Sequence, residues 1–235
     1  MDQPTRFPWN HFPGVYIHAP ESFVTTHHAY SAAKAGDIWA AVELVTDTIS
    51  LKVLDQLWKR FDGHAPILVS PHAKNTSGVD AIPEAMAWVI SDLLKWPYED
   101  RVVQLNEVSH AKASGYERLQ RQVTFHGAVV IGLNYLLVDS FVCHGGTLAN
   151  FRGHILAQNG FVIGATALTG KDYSAQLAVT SKQLSELRSK HGHIEYWWRQ
   201  RFGFGFECLT ASEARYLSRA RTAESIIAGL EAVDR

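Results

Sequence analysis

Tyr135-Leu-Leu-Val-Asp-Ser-Phe-Val-Cys-His-Gly-Gly-Thr-Leu-Ala-Asn150 is the stretch whose reading decides the fold. Tyr135 to Val138 is apolar without in/out alternation, the mark of a strand buried on both faces. This strand is expected to end at Asp139, carrying a carboxylate to its tip. Phe141 and Val142 anchor the next turn, and Gly145-Gly146-Thr147 opens a helix expected over 147–159, with Gly160 as its terminator. Glycines let a backbone approach an anion closely, while the free amides and dipole of a helix start bind phosphate. A sugar phosphate fits this pattern, with Asp139 on the ribose hydroxyls and the Gly-Gly-Thr turn on the phosphate.

Working outward, Phe161 to Leu168 reads as another apolar strand. Upstream, Pro66 to Ser70 is a short apolar run followed by a polar loop, and Ile82 to Leu94 is helical, with Pro83 in the first turn where a missing amide costs little. Arg101 to Leu105 reads as a second core strand, Asn106 to Gln122 as a mobile polar loop, and Val129 to Ile131 as a strand fragment. Strands alternating with helices predict a parallel sheet of four or five strands covered on both faces, an α/β core over about residues 62–172. Before it, residues 1–61 read as a helical segment: apolar residues recur at helical spacing from Tyr30 to Phe61, Asp37 is an N-cap, and Gly63 with Pro66 closes the run. After it, residues 173–235 read as a second helical segment packing on the core, with helices near 177–188, 194–202, 212–217 and 223–232.

The 235 residues are 46% hydrophobic and 19% charged, which excludes disorder of the whole chain. Twenty-two Lys and Arg against 23 Asp and Glu leave a formal charge of -1, so no overall field draws the chain to nucleic acid or an anionic membrane. Any anion site must be local. The longest uncharged runs are too short or too polar to span a bilayer, and the first residues show no secretory signal. Two cysteines are too few for a disulfide framework, so a reducing, cytoplasmic setting is expected.

The stretch Leu-Leu-Val-Asp-Ser-Phe-Val-Cys-His-Gly-Gly-Thr resembles the fingerprint of the type I phosphoribosyltransferase superfamily. That fingerprint is four apolar residues, two acids, two apolar residues, two Thr-like residues, Gly, any residue, then Thr or Ser. The resemblance covers roughly Pro66 to Leu168. Weaker similarities at Ile82-Pro83, Arg118-Leu119, Phe125 with Gly127, and Leu209 to Ala214 point to a poorly characterised branch found in bacteria and mobile elements. The resemblance implies transfer of a phosphoribosyl group from phosphoribosyl pyrophosphate to a nucleobase or amine nitrogen, assisted by Mg2+ that few protein ligands hold, with Asp139 touching it at most through water.

By the same match, Asp139, Ser140, Cys143, His144, Gly145, Gly146 and Thr147 bind ribose and phosphate. Lys74, in the pyrophosphate loop, and the lid cations Lys112, Arg118 and Arg121 act with Asp139 in catalysis. No general base is assignable from the sequence; Glu107 and His110, both within that loop, are candidates for the role. Ser140 replaces the second acid, which costs charge-assisted strength of about 1 to 2 kcal/mol, so Ser140→Asp is expected to tighten donor binding. The implied partners are phosphoribosyl pyrophosphate and a small-molecule acceptor, with no nucleic acid, no membrane, and a homodimer as an oligomeric option. Loss of the second acid keeps open a non-catalytic nucleotide or phosphoribosyl-pyrophosphate sensor.

Other chemistries are less well supported. His191-x-His193 with Cys208 lacks the converging ligands a zinc site needs, and both histidines are expected at the surface. Trp197, Trp198, Phe202, Phe204 and Phe206 read as core packing rather than a base-stacking platform. No Gly-x-Ser-x-Gly elbow supports a serine hydrolase.

Overall fold

The computed structural model describes residues 4–71, 79–106 and 114–234. Its first strand, β1 (Tyr16–Ala19), is followed by short helices α1 (Glu21–Thr25) and α2 (Tyr30–Lys34), then α3 (Ile38–Thr48) and α4 (Leu51–Phe61). The Asp37 side chain accepts from the Trp39 and Ala40 amides, and Ser50 accepts from Val53, so each of the two longer helices starts on a polar cap. The core continues with β2 (Ile67–Val69), α5 (Ile82–Leu94) and β3 (Tyr98–Glu99). A separate antiparallel pair, β4 (Val103–Gln104) and β5 (Phe125–His126), brackets α6 (Gly115–Gln120). Then come β6 (Asn134–Val142), α7 (Gly146–Ala157) and β7 (Phe161–Gly170). Four helices finish the chain: α8 (Ser181–His191), α9 (Glu195–Phe202), α10 (Ala211–Ser218) and α11 (Ala223–Glu231).

Five strands form one parallel sheet in the order β1-β7-β6-β2-β3. The α/β class and the helical additions are as the sequence predicts. Side chains alternate across the sheet. Leu68, Leu136, Val138 and Leu168 join Leu44, Leu57, Phe61, Met86 and Ile90 of α3, α4 and α5 on one face. Val69, Tyr135, Leu137, Ala165 and Ala167 join Leu148, Phe151 and Ile155 of α7 on the other. Trp198, Phe202, Phe204 and Phe206 nucleate a third cluster inside the C-terminal helices, as read from the sequence.

Five expectations need correction. The segment before residue 62 is not purely helical, because Tyr16, Ile17 and Ala19 pair with Thr166, Ala167 and Thr169 and supply an edge strand. The second core strand is the polar Tyr98–Glu99 rather than Arg101 to Leu105. Arg101 bonds Glu99 through its backbone amide at 2.9 Å and its Nε at 2.6 Å, closing a turn that throws Val103 and Gln104 out of the sheet onto β5. Part of the polar stretch before Gln122 is helix: Ser114 and Glu117 form a reciprocal capping box that starts α6. Val129 to Ile131 is no strand, its amides being taken at Val129 by the Gln158 side chain and at Val130 by the Tyr135 hydroxyl. Finally, β6 does not stop at Asp139 but runs to Val142, since β7 continues the ladder as far as Val142 opposite Gly170.

Candidate functional site

β6 lies at the centre of the sheet, with β2 on one side and β7 on the other, although β2 and β3 precede it in the chain. Strand order therefore reverses at the β2/β6 boundary, and ligands of open parallel sheets bind beyond the carboxyl ends of the strands at such a point. The β2 ladder ends with Val69 opposite Leu137, so Asp139 and Ser140 extend beyond it into the crevice. Asp139 Oδ1 accepts the Ser140 amide at 2.7 Å. Burial pushes the Asp139 carboxyl up to about 7; the Ser140 amide bond opposes this, the Asp80 charge adds to it, and Lys34 and the Phe141 amide pull back.

The turn after β6 is held from outside. Ser174 donates its hydroxyl to the Cys143 carbonyl, and Thr210 Oγ1 donates to the His144 carbonyl at 2.5 Å. In trans peptides the amide points opposite its carbonyl, so the His144 and Gly145 N–H groups face away from these covering hydroxyls. Among the described residues, the amides of His144, Gly145, Gly146 and Thr147 have no hydrogen-bond acceptor. Free amides at the start of a twelve-residue helix are the kind of group that can take an anion, and the turn is called the cradle for its shape. The two glycines also answer to packing. Gly145 has φ +77°, and a Cβ there would sit 2.4 Å from Leu177; one on Gly146 would sit 3.0 Å from a Glu213 carboxylate oxygen.

Charges of both signs reach the turn. His144 is held below its usual pKa by burial and then by the charges of Arg118 and Arg215, against Glu213. Its Nδ1 lies 3.8 Å from the Cys143 sulfur, and its ring meets Tyr216 edge-on at 6.3 Å. The structure thus gathers Asp139, Ser140, Cys143, His144, Gly145, Gly146 and Thr147 along one strand end and turn, and brings the Arg118 charge toward them from α6. Arg121, the C-cap of α6, is exposed and acts on Glu117; no contact among the described residues joins it to the turn. Lys74, Glu107, His110 and Lys112 lie outside the described residues.

Sequence reading missed three groups. Asp80, just before α5, accepts from Lys34 Nζ and from Ser140 Oγ, each at 2.6 Å. Lys34 keeps a raised pKa: burial lowers it, and the charge and hydrogen bond of Asp80, helped by Tyr30 and Asp139, outweigh that loss. Arg215 of α10 is the third. Asp80 two residues before Ile82-Pro83 is a visible helix-start signal, and its Oδ1 does accept the Ile82 amide at 3.0 Å. Nothing local marks its partners, 46 and 60 residues away. One further reading is corrected: His191 is fully buried rather than at the surface, while His193 pairs with Glu224 at 3.6 Å. Among the described residues no three metal-ligating side chains converge. A shallow hollow of about 580 Å3 lined by Trp88, Trp96 and Tyr98 includes none of the site's groups.

Solved structures similar to this chain include phosphoribosyltransferases. The adenine phosphoribosyltransferase of Thermoanaerobacter pseudethanolicus is 15% identical, with 59% of this chain and 77% of that one covered at a TM-score of 0.37. A hypoxanthine phosphoribosyltransferase of Staphylococcus aureus gives 13%, 63%, 71% and 0.37 for the same quantities. By sequence, the chain is 35% identical over 222 residues to Protein TraN of Escherichia coli, covering 94% of this chain and 50% of that protein. It is 31% identical over 157 residues to an uncharacterised protein of Haemophilus influenzae, covering 66% of this chain and 35% of the relative. The chain spans half or less of the length of these curated relatives. No protein-family model matches it. Among the described residues no helix is long and apolar enough to cross a membrane.

Proposed function

We propose that this chain binds phosphoribosyl pyrophosphate and transfers its phosphoribosyl group to the nitrogen of a nucleobase or amine. The observation that carries the reading is the pairing of four acceptor-free amides at residues 144–147 with the Asp139 carboxylate at the strand-order reversal. The amides take the 5-phosphate and Asp139 takes ribose hydroxyls. In the reaction the bond from ribose C1 to the pyrophosphate oxygen breaks and pyrophosphate leaves with the electron pair. The acceptor nitrogen gives its lone pair to C1 and loses its proton to solvent or a base. Arg118 and Arg215, whose charges already act at the cradle, favour the anionic donor and leaving group.

Mg2+ suits the donor set. It prefers oxygen ligands and is commonly bound through one or two carboxylates with substrate phosphates completing its shell. Asp139 is the carboxylate of the motif that would hold it here, through water, and the ion would neutralise charge on the departing pyrophosphate. The α6 segment, which carries Arg118, would cover the reacting centre and exclude water.

Calorimetric titration with phosphoribosyl pyrophosphate and Mg2+ tests the binding half. Wild-type protein should bind; Asp139→Asn should bind about tenfold more weakly, or about 1.4 kcal/mol, and Thr147→Ala, which keeps the amide but removes a hydroxyl donor beside the phosphate, should lose less than that. Equal affinity in all three proteins refutes the site. A pyrophosphate-release screen over nucleobases and small amines then tests transfer and identifies the acceptor; silence there with binding intact turns the reading into that of a sensor.

A further inference from the structure

Ser140 occupies the place where a second acid was expected, yet the structure does not leave that place without a carboxylate. Asp80 reaches it from the start of α5, 60 residues earlier in the chain. One Asp80 oxygen is shared by the Ser140 hydroxyl and the Lys34 ammonium, and the other by the Ile82 amide. Three donors from a strand, α2 and a helix start fix its orientation. Its side chain is 23% exposed, so the carboxylate is held without being sealed off. Each carboxylate oxygen offers two lone pairs, which leaves acceptor capacity for a ligand.

The strand's alternation separates the two acids. Leu137 faces the α7 side and Val138 the α5 side. Asp139 therefore belongs to the face of the amide cradle and Ser140 to the face of Asp80. A ligand bound beyond the end of β2 would have Asp139 towards one face of the sheet and Asp80 towards the other, and the Asp80 charge acts on both Lys34 and Asp139.

We propose that Asp80 is the second carboxylate of this site, oriented by Ser140 and Lys34, and that it contacts the hydroxyls or the hydrated cation of a bound sugar phosphate. This rests on the phosphoribosyl reading and names a residue that the motif could not. It also reverses one expectation: an acid at position 140 would stand within hydrogen-bond distance of the Asp80 carboxylate, so Ser140→Asp should weaken donor binding, not tighten it.

The test is titration of phosphoribosyl pyrophosphate with Mg2+, well below the melting temperature of each variant. Asp80→Asn should bind about tenfold more weakly, and Ser140→Ala, which keeps both carboxylates but frees Asp80, should lose about threefold. Ser140→Asp should lose about tenfold or more, and adding Asp80→Ser to it should restore affinity to within about threefold of wild type. If Asp139→Asn loses binding while Asp80→Asn keeps wild-type affinity, the assignment falls and the phosphoribosyl reading stands. Additive losses in the Ser140→Asp, Asp80→Ser pair likewise overturn it. If the wild-type chain does not bind at all, the phosphoribosyl reading fails and takes this assignment with it. Should Asp80→Asn fail to fold, Ser140→Ala and the double variant decide the matter, since both retain a carboxylate in the crevice.

Discussion

Asp139 carries a carboxyl that burial moves from 3.8 to about 7. The folded pKa lies above the unfolded one, so the native state holds an extra proton between these values. The associated stability is fully present below about pH 4 and is lost as pH rises through 7. Urea midpoints should therefore fall from pH 5 to pH 8 in the wild type, by on the order of a few kcal/mol of stability, and fall less in Asp139→Asn. Identical pH profiles for the two proteins would show that Asp139 is solvated in the folded chain. At this scale much was legible: the four residues before Asp139 and the Gly-Gly-Thr after it are local signals. The Asp80 contribution was not, because its bond to Ser140 is made between elements that only the fold brings together.

α7 carries a glycine in its middle at a point where the N-terminal segment crosses it. A Cβ on Gly153 would lie 1.7 Å from the Thr5 carbonyl oxygen. Gly153→Ala gains about 1 kcal/mol of helix propensity, but overpacking against backbone costs about 1–3 kcal/mol and often more. With a Cβ 1.7 Å from a backbone oxygen the cost falls at the upper end of that range, so the clash should win, giving a net loss of about 2 kcal/mol in denaturant unfolding; a stabilised variant would mean that Thr5 moves freely. Helices were the best-read elements, because Asp37, Pro83 and the spacing of apolar residues act within one turn. Strands were read less well. Arg101 to Leu105 has the more apolar sequence, yet Tyr98–Glu99 enters the sheet because the Glu99–Arg101 pair turns the chain immediately after it.

Across the molecule, Arg6 ties the beginning of the described chain to its C-terminal helices. Its guanidinium bonds both Glu213 oxygens at 2.7 and 3.1 Å, its Nε bonds Asn150 of α7 at 2.6 Å, and it lies 4.7 Å over the Phe204 ring. Both charged residues are buried, and removing one partner of such a pair costs about 3–5 kcal/mol. Arg6→Met should therefore lower the melting temperature by about 10 °C for a chain of this size. Because Glu213 abuts Gly146 and Thr210 holds the His144 carbonyl, the same variant should also weaken phosphoribosyl pyrophosphate binding. A large fall in melting temperature with unchanged affinity at 10 °C would show that the cradle stands without this brace.

The amino-acid sequence by itself determined the α/β class, most helices, the strand that bears Asp139 and the turn that follows it. Each depends on signals within a few residues: unbroken apolar runs, caps, prolines and glycines. Only the tertiary structure decided the N-terminal edge strand, the extension of β6 to Val142, the burial of His191 and the convergence of Lys34, Asp80 and Ser140. Those features arise where separate segments compete for the same hydrogen bonds and the same buried volume, and that competition is settled by packing across tens of residues rather than by any local pattern.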